Sequence, residues 1–146
     1  MQISSGVTWM SVGEVEQVRA QAAQEGVPIL TLLTGGIDDR DRIFEGFREG
    51  LPMDPPNYSS RSWEALSDSL FGGLLKIEAS RVVIVWEDAL KHESLDIGNP
   101  SEGLSILEEV ADQLENRHIT GEFAPKVVSV IVISDECGND QGNDEK

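Results

Sequence analysis

Three short stretches in which apolar side chains follow one another without alternation constrain this chain more than anything else in it. Residues 28–34 carry Ile29, Leu30, Leu32 and Leu33 and run into Gly35 and Gly36. Residues 81–86 carry Val82, Val83, Ile84 and Val85, and residues 127–133 carry Val127, Val128, Val130, Ile131, Val132 and Ile133. A strand that is apolar on both faces must be covered on both faces. Segments with helical spacing lie between the runs, and parallel strands require such crossovers. The expected fold class is therefore α/β, a small three-stranded parallel sheet packed with helices.

The helices follow from periodicity and from their stop signals. Val12, Val15, Val18 and Ala22 recur at helical spacing ahead of Gly26, which predicts a helix over 12–24. Ile43 and Phe47 mark a second over 38–50. Pro52, Pro55 and Pro56 make 51–58 an extended loop. A short third helix is predicted over 62–71, with Gly72 and Gly73 as its stop, and an amphipathic fourth over 101–117. The chain divides into an N-terminal extension with a helix (1–27), a central domain (28–134) and a polar, acidic tail (135–146) expected to be disordered. The added helix is expected to cover one face of the small sheet.

Charge narrows the function classes. Eleven basic residues face 27 acidic ones, a formal net charge of −16. The tail holds five acids and one lysine, so most of the excess lies elsewhere. Such a field repels nucleic-acid phosphates and anionic membranes and draws in basic proteins. The plainer account is that it serves solubility. Cys137 is the only cysteine, so neither an intrachain disulfide nor a cysteine cage for a metal is available, which fits a cytoplasmic setting. No cofactor is expected. His92 and His118 have no local Ser or Cys partner and read as surface residues. Trp9 and Trp86 read as packing groups, with Trp9 pinning the extension.

The short helix over 62–71 concentrates the interesting chemistry. At about 100° per residue, Trp63, Leu66 and Leu70 share a core face, Glu64 and Asp68 stand opposite, and Ser67 sits at the boundary. Like charges at this spacing repel by a few tenths of a kcal/mol. Near the end of a helix finishing at 71, Asp68 would also oppose the dipole. A misplaced charge can mark a binding surface, although a solvated acid costs little.

Tyr58, a polar turn through Ser59, Ser60 and Arg61, and the helix Trp63, Glu64, Ala65, Leu66, Ser67, Asp68, Ser69, Leu70 resemble the inhibitory loop and helix of the barstar family, intracellular inhibitors of a secreted ribonuclease. The apolar run from Arg81 to Trp86, followed by Glu87, is similar to that family's second strand, and the order of elements from 28 to 134 matches. The resemblance implies a barstar-like fold, to which residues 1–27 add an N-terminal helix that the family lacks. It also implies a plug mechanism, in which helix acids occupy the place of RNA phosphate in the ribonuclease active site. Asp68 matches the deepest acid, Glu64 a second, and Tyr58 an aromatic contact. Asp112 is the best match for a further acid on the last long helix, with Glu108 and Glu109 as alternatives. Ser67 stands where barstar has an aromatic, and Arg61 puts a positive charge beside the contact. Both leave the target open between a ribonuclease toxin and a non-nuclease protein. The implied partner is a basic protein bound 1:1 by a monomeric, non-enzymatic immunity protein. Independently of the resemblance, a site of Arg, Lys and His built for phosphate is a socket for carboxylates.

Two other classes stay in view. Asp38 and Asp39, Glu87 and Asp88, and Asp135 and Glu136 follow the three strands, where ligands of open parallel sheets bind. Such pairs suit a Mg²⁺-dependent phosphohydrolase. Acids at these places also serve as helix caps and first-turn residues, and no phosphate loop accompanies them. An acidic adaptor for a basic protein is the third class.

Overall fold

The computed structural model describes residues 6–34, 40–54, 62–88, 102–121 and 124–133. In chain order the elements are β1 (Gly6–Met10), α1 (Val12–Glu25), β2 (Ile29–Leu32), α2 (Arg40–Gly50), α3 (Trp63–Leu75), β3 (Arg81–Trp86), α4 (Glu102–Glu115), α5 (Arg117–Thr120) and β4 (Val127–Ile133). All strand pairs are parallel, in the order β1-β4-β3-β2.

Among the described residues the sheet has four strands where the sequence predicted three. The additional one, β1, lies at an edge against β4, with Gly6 opposite Ser129 and Met10 opposite Ile133. It carries no apolar run because an edge strand needs little burial. Gly6, Thr8 and the exposed Trp9 break its apolar character, and its five residues are partnered on one side only.

The crossovers explain the layering. The path from β1 to β2 crosses the sheet in one direction, whereas β2 to β3 and β3 to β4 return in the other. Right-handed crossovers then put α1 on one face and the remaining helices on the opposite face. Alternate residues of each central strand divide accordingly. Val82, Ile84, Trp86, Val128, Val130 and Val132 join the core under α2, α3 and α4, while Val83, Val85, Ile131 and Ile133 pack with Val15 and Val18 of α1. The N-terminal helix thus covers the second face of the sheet. Ser11 and Glu14 form a capping box at its start: Ser11 Oγ accepts from Glu14 N at 3.3 Å, and Glu14 Oε1 accepts from Ser11 N at 2.9 Å. Gly26, at φ 74°, ends it, and Val27 N donates to Ala22 O at 2.9 Å. Arg19 pairs with Glu87 and Arg81 with Glu25, which fixes α1 along β3 at two points.

Two glycine pairs set close approaches between helices and neighbouring backbone. Gly46 and Gly50 lie one turn apart on α2, where added Cβ atoms would collide with the carbonyl oxygens of Leu33 and Thr31. Pro28 and Leu32 direct their carbonyls at β3, so those of Thr31 and Leu33 face outward by alternation, and α2 closes that edge of the sheet. Gly72 and Gly73 do not stop α3, which continues to Leu75. They let the carbonyls of Asp54 and Pro52 press against the helix, and Asp54 N donates to Ser69 O at 2.9 Å.

Candidate functional site: an acidic groove between two helices

Ser62 opens α3 by accepting from Ala65 N at 3.2 Å. The helix then buries Leu66, Ser69, Leu70, Gly73 and Leu74. Trp63 is half-buried, its ring 5.1 Å from that of Phe44 at an interplanar angle of 56°. With that face anchored, Glu64 and Asp68 are exposed and Ser67 is half-buried between them and the core. Because α3 runs on to Leu75, Asp68 lies in mid-helix and escapes the dipole penalty expected of a helix ending near 71.

A groove of about 490 Å³ runs between α3 and α4. From α3 come Trp63, Glu64, Ser67 and Asp68. From α4 come Ser105, Ile106, Glu109 and Gln113 at helical spacing. Three carboxylates therefore share one concave surface that no Lys, Arg or His lines among the described residues. None of the three is in an ion pair among the described residues. Such a surface binds cationic donors, and guanidinium groups above all, because a planar fork can span a carboxylate.

Sequence reasoning brought Glu64, Ser67 and Asp68 to this surface together. Asp112, taken from the sequence as the best match on the last long helix, is exposed on α4 but does not line the groove, whereas Glu109 does. Positions 105, 109 and 113 follow at intervals of about one turn, and this spacing could have singled out Glu109 once α3 was known to lie alongside. Tyr58 lies outside the described residues, as do Ser59, Ser60, Arg61, His92 and the tail. His118 is exposed on α5. Trp86 is fully buried as expected, but Trp9 is 45% exposed and is not a core packing group.

The described strand-end acids have structural work. Glu87 pairs with Arg19, and Asp88 accepts from Thr34 N and Thr34 Oγ1. Asp38, Asp39, Asp135 and Glu136 lie outside the described residues, among which no group of three His, Cys, Asp or Glu side chains is placed to hold a metal. At the other end of the sheet, a cavity of about 520 Å³ lies beside Lys126. That lysine is only 6% exposed. Its Nζ donates to Ile77 O at 2.7 Å and Ala79 O at 3.0 Å, and burial lowers its pKa. It ties the loop before β3 to the start of β4.

Fold and groove together define a small acidic α/β domain with a cation-seeking surface between two helices. The chain belongs to the barstar family: the family model for barstar, the barnase inhibitor, matches residues 27–124. No individual curated protein and no solved structure matches it. The match begins after α1, so β1 and α1 are additions to the part that carries the family likeness.

Proposed function

We propose that this protein is an inhibitor of a basic ribonuclease, an immunity protein that closes the enzyme's active site with the acids of the α3–α4 groove. The observation that carries this reading is the convergence of Glu64, Asp68 and Glu109 on one groove with no balancing cation among the described residues that line it. A ribonuclease site holds several cationic groups for phosphate, and carboxylates presented on a helix can replace that phosphate with charge-assisted hydrogen bonds. Asp68 is the central anion, Glu64 the second, and Tyr58 adds aromatic contact area. Ser67 is small and leaves room that a larger partner side chain can fill. Glu109 supplies the α4 acid of the groove, and Asp112, on the same helix, adds to the field around it. The remaining negative charge steers a basic partner in and makes association salt-sensitive.

In this reading the complex is a 1:1 heterodimer formed in the cytoplasm of a cell that makes the nuclease, and the inhibitor has no catalytic role. The test is titration of the purified protein into barnase and into basic ribonucleases co-purified from the source cell. RNA hydrolysis and calorimetry are followed together. Stoichiometric inhibition is expected, and Asp68→Ala should weaken it by more than about 2 kcal/mol, roughly 30-fold, as a central charged contact does. Absence of inhibition across these enzymes would remove the proposal. Capture of a basic protein without nuclease activity would favour an adaptor instead.

A further inference from the structure

The two edges of the sheet are treated differently. That of β2 is closed by α2, whose Gly46 and Gly50 bring helix backbone onto the outward carbonyls of Leu33 and Thr31. Among the described residues that of β1 is open: β4 is its only strand partner there, and no helix or strand among them covers its far side. An open edge offers unpaired backbone N–H and C=O groups to any extended chain. Natural edges are blunted with lysine, proline or inward charge. β1 (Gly6, Val7, Thr8, Trp9, Met10) has none of these, and it exposes a tryptophan.

The surroundings of that edge select its partner. Val7 packs into the core under α4, so alternation puts Trp9 on the same face of the sheet. Helix α4 lies over β4 and β1, with α3 on its other side. At about 100° per residue, Glu108 and Glu115 lie on the flank of α4 turned away from α3 and the groove, and Asp112 stands beside them at the crest. That flank faces the open edge. All three are exposed, and none is ion-paired among the described residues.

We propose that the β1 edge, with Trp9 beside it and Glu108, Asp112 and Glu115 above it, is a second docking surface that takes a basic, extended polypeptide segment as a fifth strand. Backbone pairing supplies the register. Lys or Arg at alternate positions of the incoming strand reach the three carboxylates, and a cation or aliphatic stem lies on the Trp9 ring. A second copy of the chain is the wrong occupant. Antiparallel pairing of two β1 strands would set the same α4 acids against each other on one face, between two molecules that each carry −16. A five-residue edge is a small interface, and the contact is weak, on the order of 10 μM or weaker, as interfaces below about 1,200 Å² usually are.

The probe is a blocked nine-residue peptide of alternating lysine and valine, with an alternating glutamate and valine peptide as control. Binding is followed by amide hydrogen exchange and by fluorescence at low and high salt. The lysine peptide should slow exchange over residues 6–10, change the emission of Trp9 and weaken with salt, while the glutamate peptide does nothing. Trp9→Lys, and separately the triple variant Glu108→Lys, Asp112→Lys, Glu115→Lys, should weaken binding at least about tenfold, by the loss of a desolvated contact or of several charges. Trp9→Ala repeats the first test without a new charge, and unchanged thermal unfolding shows that each variant folds. Glu64→Gln with Asp68→Asn should leave peptide binding within about twofold, because these acids belong to α3, across α4 from the β1 edge. The proposal fails if residues 6–10 gain no protection, or if the groove variant abolishes binding. It also fails if sedimentation shows a dimer through β1 that the peptide does not dissociate.

Discussion

Asp88, just beyond β3, accepts hydrogen bonds from the backbone N–H of Thr34 at 3.1 and 3.2 Å through its two carboxylate oxygens, and from the Thr34 hydroxyl at 3.4 Å. The same hydroxyl accepts from Trp86 Nε1 at 3.4 Å. One carboxylate thus joins the outgoing chains of β2 and β3 above a buried indole. Asp88→Ala should cost about 1–3 kcal/mol in urea unfolding, the usual penalty for stranding buried polar groups, and Asp88→Asn should cost less because it keeps one acceptor. Millimolar Mg²⁺ should leave the melting temperature of the wild-type protein unchanged. A Mg²⁺-dependent rise would instead revive the phosphohydrolase reading.

Gly50 gives a prediction of unusual sign. Replacing glycine by alanine inside a helix ordinarily stabilises by roughly 0.5–1 kcal/mol. Here the new methyl would collide with the Thr31 carbonyl, and at Gly46 it would lie 2.5 Å from that of Leu33. Both Gly46→Ala and Gly50→Ala should therefore destabilise, by about 1–3 kcal/mol for forced overpacking. Chemical denaturation measures it directly.

The groove separates neighbouring acids of α4. In the proposed ribonuclease complex, Glu109→Ala should weaken binding by about 1–3 kcal/mol, whereas Asp112→Ala should change it by less than about 0.5 kcal/mol and act mainly on the association rate. Stopped-flow association together with calorimetry distinguishes the two effects. Equal losses would mean that the partner extends over the crest of α4.

Lys126 predicts an alkaline signature. Its folded pKa lies below the unfolded value of 10.5 because burial disfavours the charged amine. Between the two values the unfolded chain holds more protons, so this residue makes stability rise as pH increases toward 10.5. The gain disappears as pH falls through the folded pKa. Lys126→Met should abolish that slope. At neutral pH it should also cost about 1–3 kcal/mol, because the carbonyls of Ile77 and Ala79 lose their donor. Unfolding free energies at several pH values, wild type against variant, test both.

Much of the fold could be read from residue order because burial on both faces leaves a direct mark. The runs ending at Leu33, Trp86 and Ile133 announced three strands, and the spacing of Val15, Val18 and Ala22 announced α1. β1 left no such mark, being half-covered and interrupted by Gly6 and Thr8. Gly72 and Gly73 looked like a helix stop because glycine has two uses, chain reversal and close approach, and only the position of Pro52 and Asp54 distinguishes them here. The same limit governed the site. Glu64 and Asp68 share one helix and could be placed from periodicity, whereas which acid of α4 lines the groove depends on which flank of that helix meets α3. That is a tertiary fact.

The position of β4 between β1 and β3 also sets an order of events during synthesis. Gly6 has no strand to pair with until Ser129 has been made, since its register partner lies near the far end of the described chain. While the intervening residues emerge, Val7, Trp9 and Met10 have no lattice to join. The inner face of α1 meets only half of its eventual floor, Val83 and Val85 without Ile131 and Ile133. Contacts so distant in sequence slow folding and lengthen the time that apolar surface is exposed. Of the described strands, the one that completes the sheet is thus the last to be translated, and the earliest of them has to wait for it.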